Sequence, residues 1–418
     1  MGGWKTKVST LKLVFCLAVA LAVLLPSSAL AAGPKTSQAQ KQWTILMYWD
    51  GDNSLEFTTD FCVGIWEEAL TSNSNVNVVA FIDIKSVDGT WIYEILPGDK
   101  KLVMTGPEKN CADPAVLKDF VLWGLENYPA KKTMLVVQDH GFSWRGICKD
   151  ETGGSFLMTI DGLAGALKAA KTSDGRGVDL LAFDACNMAT IEIAYELRGV
   201  IPYFVASETT VPFDGLPYRM FIGDIVSNPT ITPADLAKKV VNEYVLYYSS
   251  KWDYQHIYKY QQDFATMSAF DLSKTGAMGQ AFVKMTQVLS PLVSQYKKTI
   301  EQSRGYALQG QWTNMAGYEW TPDAYAVFDG LRSIPSSELT SSIDSFESAF
   351  NACLLAENSS ARLGWVPHGM NIWFPSSLSQ YNSMGWAWAR QFVYNDIGLD
   401  LVSESAWYDC LMSYYCSK

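Results

Sequence analysis

Two short apolar segments constrain the fold of this chain more than any other feature. Residues 133–138 are followed by Asp139-His140-Gly141, and residues 178–183 are followed by Asp184-Ala185-Cys186. Both segments are rich in aliphatic residues and show little alternation, which is typical of strands covered on both faces in a parallel sheet. Chemistry in such sheets lies at the carboxyl ends of the strands. A histidine and a cysteine delivered to the same sheet edge therefore indicate an activated thiol nucleophile.

The surrounding pattern alternates between strands and helices. Further strands are predicted at 43–49, 75–84, 203–207 and 265–270, with 370–375 as one more candidate. Helices are predicted at 55–70, 115–128, 157–171, 187–198, 232–249, 272–303 and 339–356. This alternation predicts an α/β fold with a mainly parallel central sheet and right-handed crossovers. The predicted helix at 187–198 would place Cys186 near a helix N-terminus, whose dipole favours a thiolate.

The first 31 residues have the organisation of an export signal. Three lysines precede an apolar stretch at 13–25, and Ala29-Leu30-Ala31 forms a small-residue cleavage site. We expect a linker at 32–42, a catalytic core at 43–250 and a C-terminal region at 251–418 that completes or extends it. The predicted location is therefore secreted or periplasmic, and we expect no membrane span after signal removal.

Charge and cysteine content narrow the choice of partners and compartment. The formal net charge is −11, and no basic block is present to neutralise phosphates, which argues against a nucleic-acid partner. Of the eight cysteines, Cys16 lies in the signal segment and seven remain. In an oxidising compartment this odd number predicts one thiol kept for chemistry and at least one disulfide among the others.

Alternatives exist for each candidate group. The chain has three histidines, and any one alone would more often be a hydrogen-bonded packing residue than a base. His256 lies among aromatic residues, and His368 is the rival to His140. Taken alone, Cys186 would be interpreted as a buried cysteine that packs as a small hydrophobic residue. The acidic turn at 50–54 is predicted to cap the following helix; calcium binding is the alternative, although the spacing is not that of an EF-hand.

Together the motifs resemble those of a known family. Asp139-His140-Gly141 and Asp184-Ala185-Cys186 look like the corresponding segments of clostripain-family cysteine peptidases, which share a caspase-like fold with gingipains and legumains. The segments 43–56 and 268–273 are also similar to that family, so the resemblance runs from about residue 43 to residue 374. It implies a caspase-like α/β/α sandwich with mostly helical C-terminal additions.

The resemblance also implies a mechanism. Cys186 would attack the scissile carbonyl as a thiolate, and His140 would protonate the leaving amine. Backbone amides near Gly141 and Cys186 would hold the oxyanion. No third catalytic residue is evident in the sequence, so the prediction is a catalytic dyad.

Substrate preference and processing follow from the same resemblance. Asp184 and Asp214 would form an acidic pocket for Arg or Lys, so the expected partners are peptides or proteins with basic residues. Self-cleavage between His140 and Cys186 would occur at Lys149 or, alternatively, Arg145, both in a loop predicted to be exposed. We expect no required cofactor and no defined metal ligands, with calcium as an optional ligand, and a monomeric protein.

Two other functions compete with an endopeptidase. A binding module on the same fold would leave Cys186 unreactive. A carbohydrate-active enzyme is suggested by the 15 Trp and 21 Tyr, but it would need two carboxylates across a cleft.

Overall fold

A mixed β-sheet organises the part of the chain that the computed structural model describes, residues 40–59, 75–154, 157–249, 265–307, 320–360, 366–383 and 393–417. The export signal, Cys62, His256 and most of the predicted helix at 55–70 lie outside these ranges. The strands are β1 (Lys41–Gly51), β2 (Val76–Ile84), β3 (Thr90–Leu96), β4 (Asp99–Gly106), β5 (Ala130–Gln138), β6 (Leu180–Asp184), β7 (Tyr203–Ala206), β8 (Thr266–Asp271) and β9 (Leu354–Ser359). They form one nine-stranded sheet in the order β4-β3-β2-β1-β5-β6-β7-β8-β9.

The centre of this sheet is parallel and its borders are antiparallel. Strand β1 pairs in parallel with β2 and β5, and β5, β6 and β7 continue the parallel block. Strands β3 and β4 on one side, and β8 and β9 on the other, are antiparallel. Every residue of β6 is buried, as expected for a strand covered on both faces. The predicted α/β class with a mainly parallel sheet is confirmed.

Helices cover both faces of the sheet. They are α1 (Pro114–Asn127), α2 (Ile160–Ala169), α3 (Ile191–Glu196), α4 (Tyr218–Ser227), α5 (Pro233–Ser249), α6 (Thr275–Leu289), α7 (Lys297–Tyr306), α8 (Ala324–Gly330), α9 (Ser337–Cys353), α10 (Leu378–Ser383), α11 (Asp400–Glu404) and α12 (Trp407–Cys416). Side chains of a strand alternate between faces, so Leu135 and Val137 of β5 pack in one core and Met134 and Val136 in the other. Helices α4 and α5 cover the second face. No helix among the described residues is long and apolar enough to cross a membrane.

The C-terminal half departs from the sequence prediction in two places. The ninth strand is Leu354–Ser359, whereas the predicted strand at 370–375 forms only isolated bridges, from Asn371 to Thr190 and Asp323. Helix α9 ends at Cys353, and the apolar residues that follow continue the helical pattern without a glycine or proline, so the sequence carries no stop signal. The predicted helix at 272–303 is interrupted at a turn containing Pro291, which cannot donate the helical hydrogen bond. The predicted boundary near residue 251 stays a prediction, although β8 and β9 join the same sheet as the earlier strands.

The predicted disulfide is absent among the described cysteines outside the cleft. Cys111, Cys148, Cys353, Cys410 and Cys416 carry free thiols, and all but the last are buried. Burial raises the pKa of the Cys111 and Cys148 thiols well above the usual value. These two side chains pack in the core as small hydrophobic groups, which the count of cysteines alone could not reveal.

Candidate active site

The register of two central strands brings His140 and Cys186 to equivalent positions. Gln138 of β5 is aligned with Asp184 of β6, and His140 and Cys186 each follow two residues later. The backbone N–H of Asp139 donates to the carbonyl of Asp184 at 3.4 Å, so the alignment continues beyond the end of β5. Both His140 and Cys186 line one cleft. The structure therefore brings together the two residues that the sequence singled out.

Four chain segments form this cleft. The end of β1 and the turn after it contribute Trp49, Leu55 and Thr58, and a loop after β7 contributes 210–213 and Gly215. The other two segments are the strand ends at 138–140 and 184–186. Parallel strands with their carboxyl ends at one edge explain why segments far apart in sequence meet there.

The thiol of Cys186 is held by a backbone amide rather than by a helix end. The N–H of Val211 donates to Cys186 Sγ at 3.3 Å. The expected helix directly after Cys186 is wrong, because α3 begins only at Ile191 and Asn187 has a φ of 58°, a left-handed conformation that prevents a continuous helix. The Val211 amide takes over the role foreseen for the helix dipole, since a hydrogen bond to sulfur favours the charged thiolate.

The imidazole of His140 is in the neutral state in this environment. Burial lowers the pKa of His140 to about 4, with the positive charge of Lys149 acting in the same direction and Glu151 opposing it. Ring atom Nε2 lies 2.9 Å from the hydroxyl oxygen of Ser54. A neutral ring keeps one lone pair on nitrogen, which is what a proton acceptor requires.

Gly141 allows the loop that carries His140 to touch the loop that carries Cys186. A Cβ atom at this position would lie 2.1 Å from the carbonyl oxygen of Cys186 and 2.9 Å from the sulfur of Met188. Only a residue without a side chain fits there. The glycine is thus required for the approach of the His140 loop to the Cys186 loop, and a role of its amide in oxyanion binding stays a prediction.

The two predicted pocket acids occupy different places. Asp184 lies in the cleft lining and accepts a hydrogen bond from the hydroxyl of Tyr218. Burial raises the pKa of Asp184 to about 6, against the opposing effects of Tyr218 and the amide of Leu216. Asp214 is buried in the loop after β7, and the Tyr247 hydroxyl of α5 donates to its carboxylate at 3.4 Å. Only Asp184 lies in the described lining of the cleft.

Comparison with known proteins agrees with this geometry. The model of the clostripain family, Peptidase C11, matches residues 47–413. The chain belongs to the clostripain family. Clostripain from Hathewaya histolytica is 29% identical over an alignment covering 37% of this chain and 36% of that relative, so the match spans about a third of its length.

Solved structures of C11 proteases share the fold. A secreted C11 cysteine protease from Bacteroides thetaiotaomicron, in complex with an irreversible peptide inhibitor, superposes with a TM-score of 0.62 at 19% identity and covers 88% of this chain and 99% of that one. An inactive zymogen C11 protease from Parabacteroides distasonis gives a TM-score of 0.62 at 18% identity and covers 88% and 98%. At these identities the likeness shows the fold, which confirms the expected C11, caspase-like architecture.

The loop after His140 in this clostripain-family chain is not exposed as predicted. Arg145 is 5% exposed, and its guanidinium lies 4.5 Å from the ring centre of Trp373 and 4.8 Å from that of Trp144. Burial lowers the pKa of Arg145 to about 9. The polar, glycine-rich loop sequence gives no sign that tryptophans from the C-terminal region will cover it. Arg145 is therefore inaccessible for cleavage in the folded protein.

Lys149 remains the accessible member of the pair. Its ammonium forms an ion pair with Glu151, and its side chain is 21% exposed. Its carbonyl oxygen accepts a hydrogen bond from the side-chain amide of Asn53 at 3.0 Å. The peptide bond that follows Lys149 is thus held in place by the turn after β1.

A group of acids beside this loop has donor atoms suited to a hard cation. One oxygen each from Asp52, Glu108 and Asp150 lie within 4.8 Å of one another. Buried carboxylate oxygens of Asp50, Asp52 and Asp83 have no hydrogen-bond partner. The predicted capping by the turn at 50–54 stays a prediction, because most of the helix expected at 55–70 lies outside the described residues. Within the turn, Asn53 accepts the N–H of Leu55 at 2.8 Å, and Asp52 accepts the N–H of Thr152 at 3.0 Å.

Sequence reasoning missed several residues of the site. Ser54, Asn53, Val211 and Tyr218 contact His140, the His140 loop, Cys186 and Asp184 respectively. Only Asn53 and Ser54 carried a signal, because they lie in a polar turn at the end of a buried strand. The contacts of Val211 and Tyr218 depend on how a distant loop folds over the sheet.

Proposed function

We propose that this protein is an exported cysteine endopeptidase that cuts peptide bonds after Arg or Lys. The observation that carries the proposal is the meeting of Cys186, His140 and the buried carboxylate of Asp184 in one cleft. Membership of the clostripain family supports the same reaction class. The organisation of the first 31 residues supports export, and we take the acting species to be a monomer.

The chemistry would proceed through a thioester. Cys186 transfers its proton to His140, and the thiolate, stabilised by the Val211 amide, attacks the scissile carbonyl carbon. His140 then gives the proton to the leaving amine as the C–N bond breaks. Water, deprotonated by His140, hydrolyses the thioester and restores the thiol. Amides at Gly141 and Cys186 are the proposed donors to the oxyanion.

Asp184 is the proposed determinant of basic specificity. A guanidinium or ammonium removed from water must be paired with an opposite charge, and Asp184 supplies a buried carboxylate in the cleft. With a pKa of about 6, this carboxyl is mostly ionised at neutral pH and binding of a cation would ionise it further. Asp214 would act from behind the loop as a second negative charge rather than as a direct contact.

We expect self-processing to use Lys149. The burial of Arg145 removes the alternative in the folded state. Cleavage after Lys149 requires the Asn53 side chain to release the Lys149 carbonyl, so we expect a slow, single event. Purified Cys186→Ala protein should stay intact while wild-type protein is cut; a cut that persists in purified Cys186→Ala protein would rule out self-processing.

Peptide hydrolysis by this pair requires no cofactor, but the acidic group fits calcium. Asp52, Glu108 and Asp150 would hold the ion, because Ca²⁺ prefers carboxylate oxygens and these residues offer one oxygen each within 4.8 Å of one another. Bound calcium would supply charge neutralisation next to the 149–152 segment. Adding Ca²⁺ should raise the Tm of catalytically inactive Cys186→Ala protein, and Asp52→Asn should cancel the shift. An unchanged Tm in both proteins would contradict a calcium site here.

The experiment that tests the function is hydrolysis of a peptide-amide panel with Arg, Lys, Asp, Asn or Leu at the cleaved position. Wild-type, Cys186→Ala and Asp184→Asn proteins are compared under reducing conditions with and without calcium. We expect cleavage after Arg and Lys that disappears in Cys186→Ala and falls strongly in Asp184→Asn. Preference for Asp or Asn would keep the nucleophile and contradict the pocket. Absence of any cleavage by intact and processed protein would favour an inactive binding module.

A further inference from the structure

The hydroxyl of Ser54 is a hydrogen-bond partner of the His140 imidazole. Ser54 Oγ lies 2.9 Å from His140 Nε2. Because Nε2 is engaged in this contact, a proton taken from the thiol of Cys186 would pass to Nδ1. The dyad of Cys186 and His140 predicted from the sequence does not include this hydroxyl.

The direction of this hydrogen bond is set by the requirements of the reaction. A neutral imidazole carries one N–H, and a serine hydroxyl can donate or accept. If Nε2–H donates to Ser54, then Nδ1 has the lone pair that receives the thiol proton. If Ser54 donated instead, Nδ1 would carry the hydrogen and could not act as a base. After proton transfer, Nε2–H still donates to Ser54, so the same contact serves both charge states.

Ser54 is held at this position by the residue before it. The side chain of Asn53 donates to the carboxylate of Asp139 at 2.8 Å and to the carbonyl of Lys149 at 3.0 Å. Its own oxygen accepts the N–H of Leu55 at 2.8 Å. The turn at 53–55 is thereby fixed to the residue that immediately precedes His140. The position of the serine hydroxyl relative to the imidazole is built into the fold.

We propose that Ser54 is a positioning residue that fixes the orientation and tautomer of His140, making the functional group Cys186–His140–Ser54. This inference rests on the proposed function, because it assigns a role within the same proton transfer. The charged groups that face His140 are Lys149 and Glu151. Both are unchanged in a Ser54 variant, so a change in pH profile isolates the hydroxyl.

The test compares Ser54→Ala with Ser54→Thr, which retains a hydroxyl, and with Ser341→Ala as an exposed control on α9. Loss of one hydrogen bond to the imidazolium should lower kcat about tenfold in Ser54→Ala with little change in KM. The pH at which the thiolate forms should rise, because the imidazolium that accompanies it loses its acceptor. Ser54→Thr should recover most of kcat. A Ser54→Ala profile equal to that of Ser341→Ala, or a Ser54→Thr variant as slow as Ser54→Ala, overturns the proposal.

A second readout separates this proposal from the proposed function. The rate of alkylation of Cys186 by iodoacetamide is followed by mass spectrometry of the peptide that contains it, as a function of pH. If no protein cleaves peptides, the endopeptidase proposal fails, yet a shift of the alkylation profile to higher pH in Ser54→Ala supports the role of Ser54. An identical alkylation profile in wild-type and Ser54→Ala protein overturns it.

Discussion

His140 and His368 are two partly buried histidines with opposite electrostatic environments. Burial lowers the pKa of His140 to about 4, and its ring contacts a neutral hydroxyl. Burial also acts to lower the pKa of His368, but the hydrogen bond and charge of Asp323, with Glu357 and Asp329, outweigh it and the pKa is raised. Nδ1 of His368 lies 3.2 Å from a carboxylate oxygen of Asp323.

The difference shows what each histidine can do. The lowered pKa of His140 favours a neutral ring that can accept a proton in the cleft it shares with Cys186. The His368 ring is paired with a carboxylate and stacked on Tyr325, 4.6 Å between centroids, and its raised pKa favours the protonated form. Asp323 also forms a β-bridge with Asn371. The N–H of Asn371 donates to the carbonyl of Ala189, three residues after Cys186. Asp323 thus links His368 to the segment that follows Cys186, and the partners of the two histidines favour His140 over His368 as the proton acceptor.

The largest difference should appear in activity. His140→Gln removes the acid–base group and should lower kcat/KM on an Arg or Lys peptide amide by roughly 10²–10⁴-fold. His368→Gln should leave kcat/KM within about threefold, because it lies outside the described lining of the cleft. Equal losses in both variants, measured on folded protein, would abolish the distinction.

The free energy of unfolding should depend more on the partner of His368 than on the partner of His140. Asp323 accepts the N–H groups of His368 and of Ala326 at 2.7 Å each, so Asp323→Ala leaves buried donors unsatisfied. We expect the free energy of unfolding to fall by about 2–4 kcal/mol. The matched Ser54→Ala change at the exposed partner of His140 should cost below about 1 kcal/mol. Urea unfolding of both variants tests this, and a larger cost for Ser54→Ala would contradict it.

The two rings should titrate on opposite sides of the ordinary histidine value of about 6.5. The contribution of His368 to stability is present below that value and is lost as pH rises through its raised folded pKa. His140 acts oppositely, because the unfolded chain takes up a proton as pH falls below about 6.5 while the folded ring does not until about pH 4. NMR titration of the ring protons, assigned with the two Gln variants, measures both. Titration of His140 at or above 6.5 in protein with an alkylated thiol would contradict this.

The smallest expected effect concerns the aromatic neighbour. Replacing Tyr325 by Leu removes the ring stacked on His368 and should lower the free energy of unfolding by about 0.5–1.5 kcal/mol. Phe142, whose ring centre is 6.1 Å from that of His140, provides the comparison. Its replacement by Leu should cost less, since the ring is tilted rather than stacked. Thermal unfolding of the pair tests the order.

Sequence reasoning reached the central sheet and the pairing of His140 with Cys186 because burial on both faces leaves a local signature. The apolar runs of β5 and β6 end where polar side chains begin. The parallel register of the two strands then places those side chains at one edge of the sheet. Features that depend on packing against residues far away in the sequence were missed. Strand β9 follows α9 without a break in pattern, and the loop with Arg145 is buried by residues such as Trp373. The Ser54 contact could not be foreseen because nothing local in the turn specifies which side chain it will meet.

The packing of Arg145 against tryptophans also affects when its loop can fold during synthesis of the chain. The guanidinium on the His140 loop needs the indoles of Trp320 and Trp373, which are made long after His140 and Cys186. Until those tryptophans have emerged, a growing chain carries an unshielded cation where the finished protein has an aromatic pocket. The buried conformation of the loop around Arg145 therefore requires the chain at least as far as Trp373.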